Sequence, residues 1–415
     1  MSMRRQGGRR KNFRAPELET KYLPLLRKLA AGEWGQIMDF VQSIFSTAFG
    51  YILPFLFVLT IVVFFHELGH FLVARWCGVT VKAFSVGFGR ELFGWTDKKG
   101  TRWKLSVIPL GGYVKFAGDE NEASAPDQEA LRQMSEEELR GAFQTKSVGK
   151  RAAVVAAGPI ANFILSIVLF ALIFAIVGRA EIAPRVDAVQ PASAASDAGL
   201  QPGDLIVRID GFPIETFNDL QRIIATSADV PLDVTVVRGD EILTFSVTPR
   251  RREIEDPFGN VQKIGVLGVS RSPSPEDIVE RTYGPVEALG EGVKETWFVV
   301  ERTGSYLTGI VVGRESADQL GGPIRVAQIS GQVATLGFAA LINLTAILSV
   351  SIGLLNLFPI PMLDGGHLLF YAVEAIRGKP LSERVQDYGF RIGIAIVLML
   401  MIFATWNDVM HLSSL

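Results

Sequence analysis

Four long apolar runs punctuate the chain, and their spacing predicts four membrane-spanning helices. The first extends from Tyr51 to Phe65, continues through the polar cluster His66-Glu67-Leu68-Gly69-His70 and resumes from Phe71 to Ala74. Together these residues are long enough for one span, with the polar cluster inside it. The second, Ala152 to Val177, carries no charge and stops at Gly178-Arg179. The third, roughly Val333 to Phe358, is apolar and β-branched, then meets Pro359, Pro361 and Gly365-Gly366, which end or break a helix. The fourth, about Gly389 to Trp406, is short but adequate.

The segments between the spans follow other periods. Val79 to Phe116 alternates apolar residues with Gly87, Gly89, Gly94, Gly111 and Gly112, a pattern of short strands and turns. Asp119 to Lys150 is polar and reads as helix or irregular chain. Ala183 to Arg250 predicts a small β-rich module, with strands at Arg185–Val189, Leu205–Ile209 and Leu232–Val237 and a helix near Phe217–Thr226. Ile264 to Val269 continues in strand-like fashion, and Pro285 to Ser305 has the spacing of an amphipathic helix. The chain thus divides into a basic extension (1–50), spans one and two with their loop (51–178), the β-rich module (183–250), a strand-and-helix connector (251–332) and spans three and four (333–415).

Composition narrows the classes. In 415 residues, 48% are hydrophobic and only 20% charged, and a mean hydropathy of +0.29 is too apolar for a set of soluble domains. The balance of 41 Lys+Arg against 43 Asp+Glu offers no basic field for gripping nucleic acid. A single cysteine, Cys77, excludes an internal disulfide, a Cys-based zinc knuckle and an iron–sulfur cluster, so any metal must use His and carboxylate; Cys77 itself reads as a small apolar filler.

Charge asymmetry predicts the orientation. Lys82, Arg90, Lys98, Lys99, Arg102, Lys104 and Lys115 follow span one, Lys150 and Arg151 abut span two, and Arg377, Lys379, Arg384 and Arg391 lie between spans three and four; these loops read as cytoplasmic. The long, mixed-charge segment between spans two and three then lies outside. The basic leader, from Arg4 to Lys28, conflicts with that orientation, and no apolar core follows its arginines as a signal peptide would require. Either Met38 is the natural start or the leader is a basic tail.

The chemistry concentrates in few residues. His66-Glu67-Leu68-Gly69-His70 places two imidazoles at i and i+4 on one helix face, where both reach a single zinc, with Glu67 beside them to take a proton from water. An ionised glutamate in a span costs roughly 2.5–3.5 kcal/mol and persists mainly where it is paired or has a task. Catalytic zinc usually takes three protein ligands and leaves a position open. Two candidates compete for the third: Glu91, in the Gly-rich strand-like stretch, and Asp364, at the broken end of span three. Irregular backbone at membrane depth is tolerated around protein-lined cavities, which favours Asp364. His367 reads as packed or as a partner of a ligand, since a fourth ligand would close the open position. Asn162 either lines the site or packs helix against helix, and His411 reads as exposed or interfacial.

These residues carry a resemblance. His66-Glu67-Leu68-Gly69-His70 in the first span, with Leu363-Asp364-Gly365 after the third, resembles the site-2 protease family of intramembrane zinc metalloproteases, and most closely the bacterial regulator of sigma-E protease group. The likeness covers nearly the whole chain beyond about Tyr51, including Ser85 to Gly89, Ile108 to Val114 and Gly158 to Asn162. It implies one catalytic Zn²⁺ held by His66, His70 and Asp364, with Glu67 as general base. It also implies that the Gly-rich strands form a membrane-associated β-hairpin that helps receive substrate, at positions matched by Ser85, Val86, Gly87, Phe88 and Gly89, and that Asn356 contacts the substrate strand. The segment from Ala198 to Ile206 resembles part of a PDZ domain; many members carry two such domains where this chain shows one.

The expectation is therefore an α-helical polytopic membrane protein with four transmembrane helices, a membrane-associated β-hairpin and an inserted PDZ-like β-rich domain. It is expected to be an intramembrane metalloendopeptidase of a cell inner membrane, with its active site toward the cytoplasmic side and the PDZ-like module periplasmic. Its expected partners are single-pass membrane proteins, of anti-sigma-factor type or remnant signal peptides, which the PDZ-like module binds or screens. The competing class is a noncatalytic PDZ-containing membrane scaffold with a structural metal. A zinc transporter would favour several ionisable residues along a path, where one compact cluster is visible.

Overall fold

The computed structural model describes residues 48–119, 128–255, 261–272, 277–313, 317 and 321–412. The basic leader, with Met38, lies outside the described residues, as does the side chain of His411. Four helices among the described residues are long and apolar enough to cross a membrane: Phe49–Trp76, Val148–Ile176, Phe338–Asn356 and Arg384–Met410.

A π-helical turn, Ala48–Ile52, leads into α1 (Leu53–Trp76), which opens with Pro54, where a missing N–H costs nothing, and stops where Gly78 turns left-handed at φ 74°. The chain then forms β1 (Val81–Thr96) and β2 (Arg102–Phe116). These long strands fold over on themselves. Ala83–Val86 is flanked on one side by Gly112–Lys115 and on the other by Arg102–Leu105, while Phe93–Thr96 pairs with the outer side of Arg102–Leu105. Gly112–Val114 is consequently an edge of the layer. Phe84, Val114 and Phe116 pack with Phe71 and Ala74 of α1 and with Phe143 and Val154, so the layer is clamped onto the first two spans by one apolar cluster.

Two short helices, Gln128–Gln133 and Glu136–Gly141, precede α2 (Val148–Ile176). The second is held by a capping box between Ser135 and Glu138. The β-rich module follows: β3 (Arg179–Ile182), β4 (Leu205–Ile209), β5 (Phe212–Pro213), α3 (Phe217–Thr226), β6 (Leu232–Arg238), β7 (Glu241–Val247), β8 (Arg250–Glu255), β9 (Val261–Val266) and β10 (Ile278–Arg281). Its four-stranded sheet has the order β5-β4-β6-β7, and the alternating buried positions Leu232, Val234 and Val236 meet Leu220 and Ile224 of α3. The same core takes in Leu267 and Val269 from beyond Arg250. β3 pairs with β10, which joins the entry and exit of the module at the end of α2.

From there α4 (Pro285–Val311) packs back along α2, with Gly292 against the carbonyl of Ile167 and Thr296 Oγ1 donating to Ser166 Oγ at 3.2 Å. It runs beyond Ser305, where the amphipathic pattern had suggested an end. The third apolar run divides in two: α5 (Pro323–Thr335) and α6 (Phe338–Asn356). The expected start at Val333 is therefore corrected, because Gly337 at φ 111° cannot continue a right-handed helix and Val333 closes the preceding one. At 19 residues α6 is about 28 Å long, close to the thickness of a bilayer's hydrocarbon core. After a turn come α7 (Asp364–Arg377) and α8 (Glu383–Leu412), the latter longer at both ends than its apolar centre. Asp408 of α8 accepts from the backbone N–H groups of Gly322, Ile324 and Arg325, satisfying the open donors at the start of α5.

In the β-rich module the Asp204 side chain is fully buried and accepts from Arg238 Nε (2.7 Å), Arg238 Nη2 (2.8 Å) and the N–H of Gln201 (2.9 Å). Burial pushes its carboxyl up, but the Arg238 guanidinium and the Gln201 N–H outweigh that and hold it below the ordinary aspartate range. A depressed folded-state value means that the ion pair's contribution is complete above about pH 4 and fades as pH falls through the folded value. We expect Asp204→Asn to destabilise the module by about 1–3 kcal/mol at neutral pH. Hydrogen exchange of the β4 and β6 amides in the full-length protein checks this, and the gap between parent and variant should close on acidification.

Candidate metal centre

On α1 the four-residue spacing brings His66 and His70 to one face, their rings edge-to-face at a centroid distance of 4.8 Å and their Nε2 atoms 3.2 Å apart. That face lies against α2 where neither helix has a side chain to separate them. A Cβ on Gly69 would overlap the carbonyl oxygen of Ala157, and one on Gly158 would overlap both imidazoles. The close approach also orients His70, whose Nδ1 donates to the carbonyl of Val154 at 2.9 Å. A carbonyl can only accept, so the proton sits on Nδ1 and the Nε2 lone pair is left free.

The third group comes from the other end of the chain. α6 ends at Asn356, and the turn through Pro359 and Pro361 reverses the chain, with Met362 held at φ 96°, so that Asp364 opens α7. Gly365 and Gly366 let α7 start directly against the carbonyls of Leu357, Phe358 and Ile360. Asp364 Oδ2 lies 3.2 Å from His66 Nε2 and 3.5 Å from His70 Nε2. The three side chains are mostly buried and offer ligand atoms within 4.8 Å of one another, the one such grouping among the described residues.

The donor set fits zinc. A tetrahedral ion with ligands at 2.0–2.1 Å holds them about 3.3 Å apart, and the observed separations are 3.2, 3.2 and 3.5 Å. Asp364 Oδ2 is buried and faces the two imidazole Nε2 atoms without a well-aligned hydrogen bond, an arrangement that a cation relieves. Two imidazole nitrogens and one carboxylate oxygen leave a fourth position free, as hydrolytic sites require.

Glu67 shares a cavity of about 210 Å³ with the three, together with Gly112, Tyr113, Asn356 and His367. Gly112 lies so close that a Cβ there would sit 3.0 Å from Glu67 Cγ. The other sequence-derived candidates disperse. Glu91 pairs with Arg102 out on the β layer and is not part of the cluster, whereas Asp364 is. Ser85 is fully buried, bonded to Ser106 and to the carbonyl of Gly87, inside the layer rather than at its edge. Gly87, at φ 90°, approaches the backbone of Ile108, and Val86 is half-buried between two neighbouring segments. Of Ser85 to Gly89, Phe88 reaches the cavity wall, stacking on Tyr113 at 6.1 Å. Asn162 is fully buried behind His66, its Nδ2 3.3 Å from His66 Nδ1. His367 packs beside Phe390 at 5.5 Å and stands outside the ligand cluster. Cys77 closes α1 and is partly buried against the neighbouring apolar cluster. Gly112–Val114 was not singled out as the substrate edge in the sequence, yet the adjacent Gly111 and Gly112 are the signal of a backbone that must approach another group.

Residues 54–400 match the model of peptidase family M50. The chain is similar to a protein of Rhizobium meliloti named as a candidate zinc metalloprotease, 53% identical over 360 residues that cover 86% of this chain and 96% of the relative. It is also similar to metalloprotease MmpA of Caulobacter vibrioides, 40% identical over 375 residues (85% and 94%), and to the regulator of sigma-E protease RseP of Escherichia coli, 33% identical over 452 residues (85% and 97%). Among solved structures, an aminopeptidase N family protein from Idiomarina loihiensis aligns over 27% of this chain and 16% of its own, at 22% identity and a TM-score of 0.15, a likeness that carries no argument.

Two expectations follow for metal content, read by elemental analysis of purified full-length protein. Asp364→Ala should lose most of its zinc, whereas Glu91→Ala should keep one ion per chain; the opposite result would reverse the ligand assignment. Gly158→Ala, whose methyl group meets both imidazoles, should lose zinc as well. Gly149→Ala on the same helix, where a Cβ meets nothing within 4 Å, should bind it normally.

Proposed function

The chain belongs to peptidase family M50 and is a membrane zinc metalloprotease of the site-2 protease family, and from that premise we propose that it hydrolyses a peptide bond within the transmembrane segments of single-pass membrane proteins. The observation that carries this reading is the convergence of His66, His70, Asp364 and Glu67 on one cavity bordered by three helices of membrane-spanning length, by α7 and by the β layer. His66, His70 and Asp364 would hold the ion. Zinc, when bound, supplies Lewis acidity that activates water and polarises a carbonyl.

The remaining work falls to the chain. The Glu67 carboxylate, beside the ligand cluster, accepts the proton of the attacking water and returns it to the nitrogen of the leaving amine. A helical substrate satisfies its amides internally, so it must unwind before attack, and in an apolar surrounding each freed amide needs a new partner. The edge at Gly112–Val114 offers backbone donors and acceptors beside Glu67, and a substrate strand laid along it recovers those bonds. The Asn356 side chain, on the same cavity, is suited to bond the strand's backbone as well.

Charge asymmetry supports an inner-membrane orientation with the catalytic end toward the cytoplasm and the β-rich module on the far side. That module, PDZ-like in its sequence, would bind or screen what approaches. Anti-sigma-type regulators and remnant signal peptides both suit such an enzyme, since each presents a single span.

Glu67→Gln tests the reading against a scaffold with a structural metal. The variant should keep its zinc and lose cleavage of a single-span reporter by about 10²–10⁴-fold, the usual worth of a general base. Undiminished cleavage by Glu67→Gln, or none by the zinc-loaded parent on any membrane-spanning peptide, would remove the proposal. Substrates trapped by the variant and identified by proteomics would name the natural targets.

A further inference from the structure

We propose that Asn162 is a positioning residue that sets the tautomer and tilt of His66, an inference that rests on His66, His70 and Asp364 being the zinc ligands. The two imidazoles are held from behind by different groups. For His70 the holder is the Val154 carbonyl, which can only accept and so fixes one tautomer. For His66 it is the side-chain amide of Asn162, which presents a donor or an acceptor according to how it is turned.

The surroundings of Asn162 make that choice consequential. Its side chain is fully buried, with Nδ2 3.3 Å from His66 Nδ1 and with Oδ1 lacking any hydrogen-bond partner. A buried, unpartnered amide oxygen is costly, on the order of 1–3 kcal/mol. A half-turn of the amide exchanges its two ends: Oδ1 then accepts from His66 Nδ1–H, and Nδ2 takes the place without a partner. The same half-turn moves the imidazole proton off Nε2, the atom that faces Asp364 Oδ2 at 3.2 Å. With Nδ2 toward the ring, His66 Nδ1 accepts and Nε2 carries the proton, which suits the metal-free pair with Asp364. With Oδ1 toward the ring, the Nε2 lone pair is free for a cation.

The backbone beneath this amide is fixed. The Asn162 carbonyl accepts from Ser349 Oγ at 2.8 Å, and Gly353 of α6 lies where an added Cβ would be 3.1 Å from the Asn162 Cβ. Only the terminal amide is left to turn. Asn162 stands behind His66 and is not among the residues that line the cavity holding Glu67.

The test is zinc affinity of the full-length protein, measured by chelator competition, for the parent, Asn162→Leu and Asn162→Asp. Leu preserves the bulk and removes both polar atoms; its zinc Kd should rise about 10–100-fold, the usual effect of losing the group behind a ligating histidine. Its kcat should fall with KM unchanged. Asp can only accept, so it holds the metal-competent tautomer, and its zinc Kd should equal the parent's or fall below it. An unchanged Kd in Asn162→Leu, or a rise in KM alone, overturns the proposal by assigning Asn162 to packing or to substrate contact. If Asn162→Leu does not fold, Asn162→Asp decides: a Kd weakened tenfold or more overturns it. A parent that binds no zinc, or keeps it in Asp364→Ala, overturns the ligand reading itself; zinc lost in Asp364→Ala but unaffected in Asn162→Leu overturns only the role of Asn162.

Discussion

The metal centre depends on how closely α1 and α2 approach. In a bilayer the lipid tails are as apolar as leucine, so helices gain nothing from hiding apolar surface against one another and associate through packing and polar contacts. Here Gly69 and Gly158 remove the side chains that would hold the backbones apart, each on the partner's contact face. That single approach brings the Val154 carbonyl within hydrogen-bonding distance of His70 and sets Asn162 behind His66. α6 joins by the same device, with Gly353 against Pro159 and Asn162 and with Ser349 bonded to the Asn162 carbonyl. Three helices are thus keyed together around one residue that itself touches a ligand.

The carboxylate reaches the imidazoles by a different means. A continuous helix through Asp364 would carry it out of reach of α1, whereas the Pro359–Pro361 turn ends α6 and starts α7 within a few residues. The turn contains Met362 at φ 96°, a conformation that costs a non-glycine residue on the order of 1–3 kcal/mol and lasts only where neighbours enforce it. Gly365 and Gly366, pressed against the turn's carbonyls, and Gly393 of α8, pressed against Pro361, supply that enforcement. Irregular backbone is tolerable at this depth because it borders a cavity lined by polar groups.

What the sequence made legible follows from which interactions are local. The i, i+4 histidines need only helical periodicity, and the four apolar runs need only length, so both could be read directly. Asp364 could be weighed against Glu91 because a Gly-rich, strand-like stretch does not present a ligand helically; Glu91 indeed sits in β1, paired with Arg102. The break at Gly337 was hidden because glycine is common in apolar runs and only its left-handed φ ends the helix. The inward place of Ser85 was hidden for another reason: the strands double over, and nothing in an alternating pattern says which segment becomes the edge. The Val154 carbonyl has no sequence signature at all, since any residue offers one.

α2 is the element on which these observations meet. Its first half presents Val154, Gly158 and Asn162 to the metal centre, and its second half presents Ser166, Ile167 and Ala171 to α4. The β-rich module is fastened to the same pair of helices. Arg222 of α3 makes a two-pronged ion pair with Glu295 of α4 at 2.6 and 2.9 Å, and Arg179, just past the end of α2, pairs with Asp219 at 3.3 Å. Arg222 also lies over the ring of Phe298, 4.6 Å from its centroid, which adds a cation–π contact to the attachment. The module's side-chain attachment thus runs to α4 and the end of α2. Because α2 also braces both histidines, the position of the module and the geometry of the ligands share one rigid support.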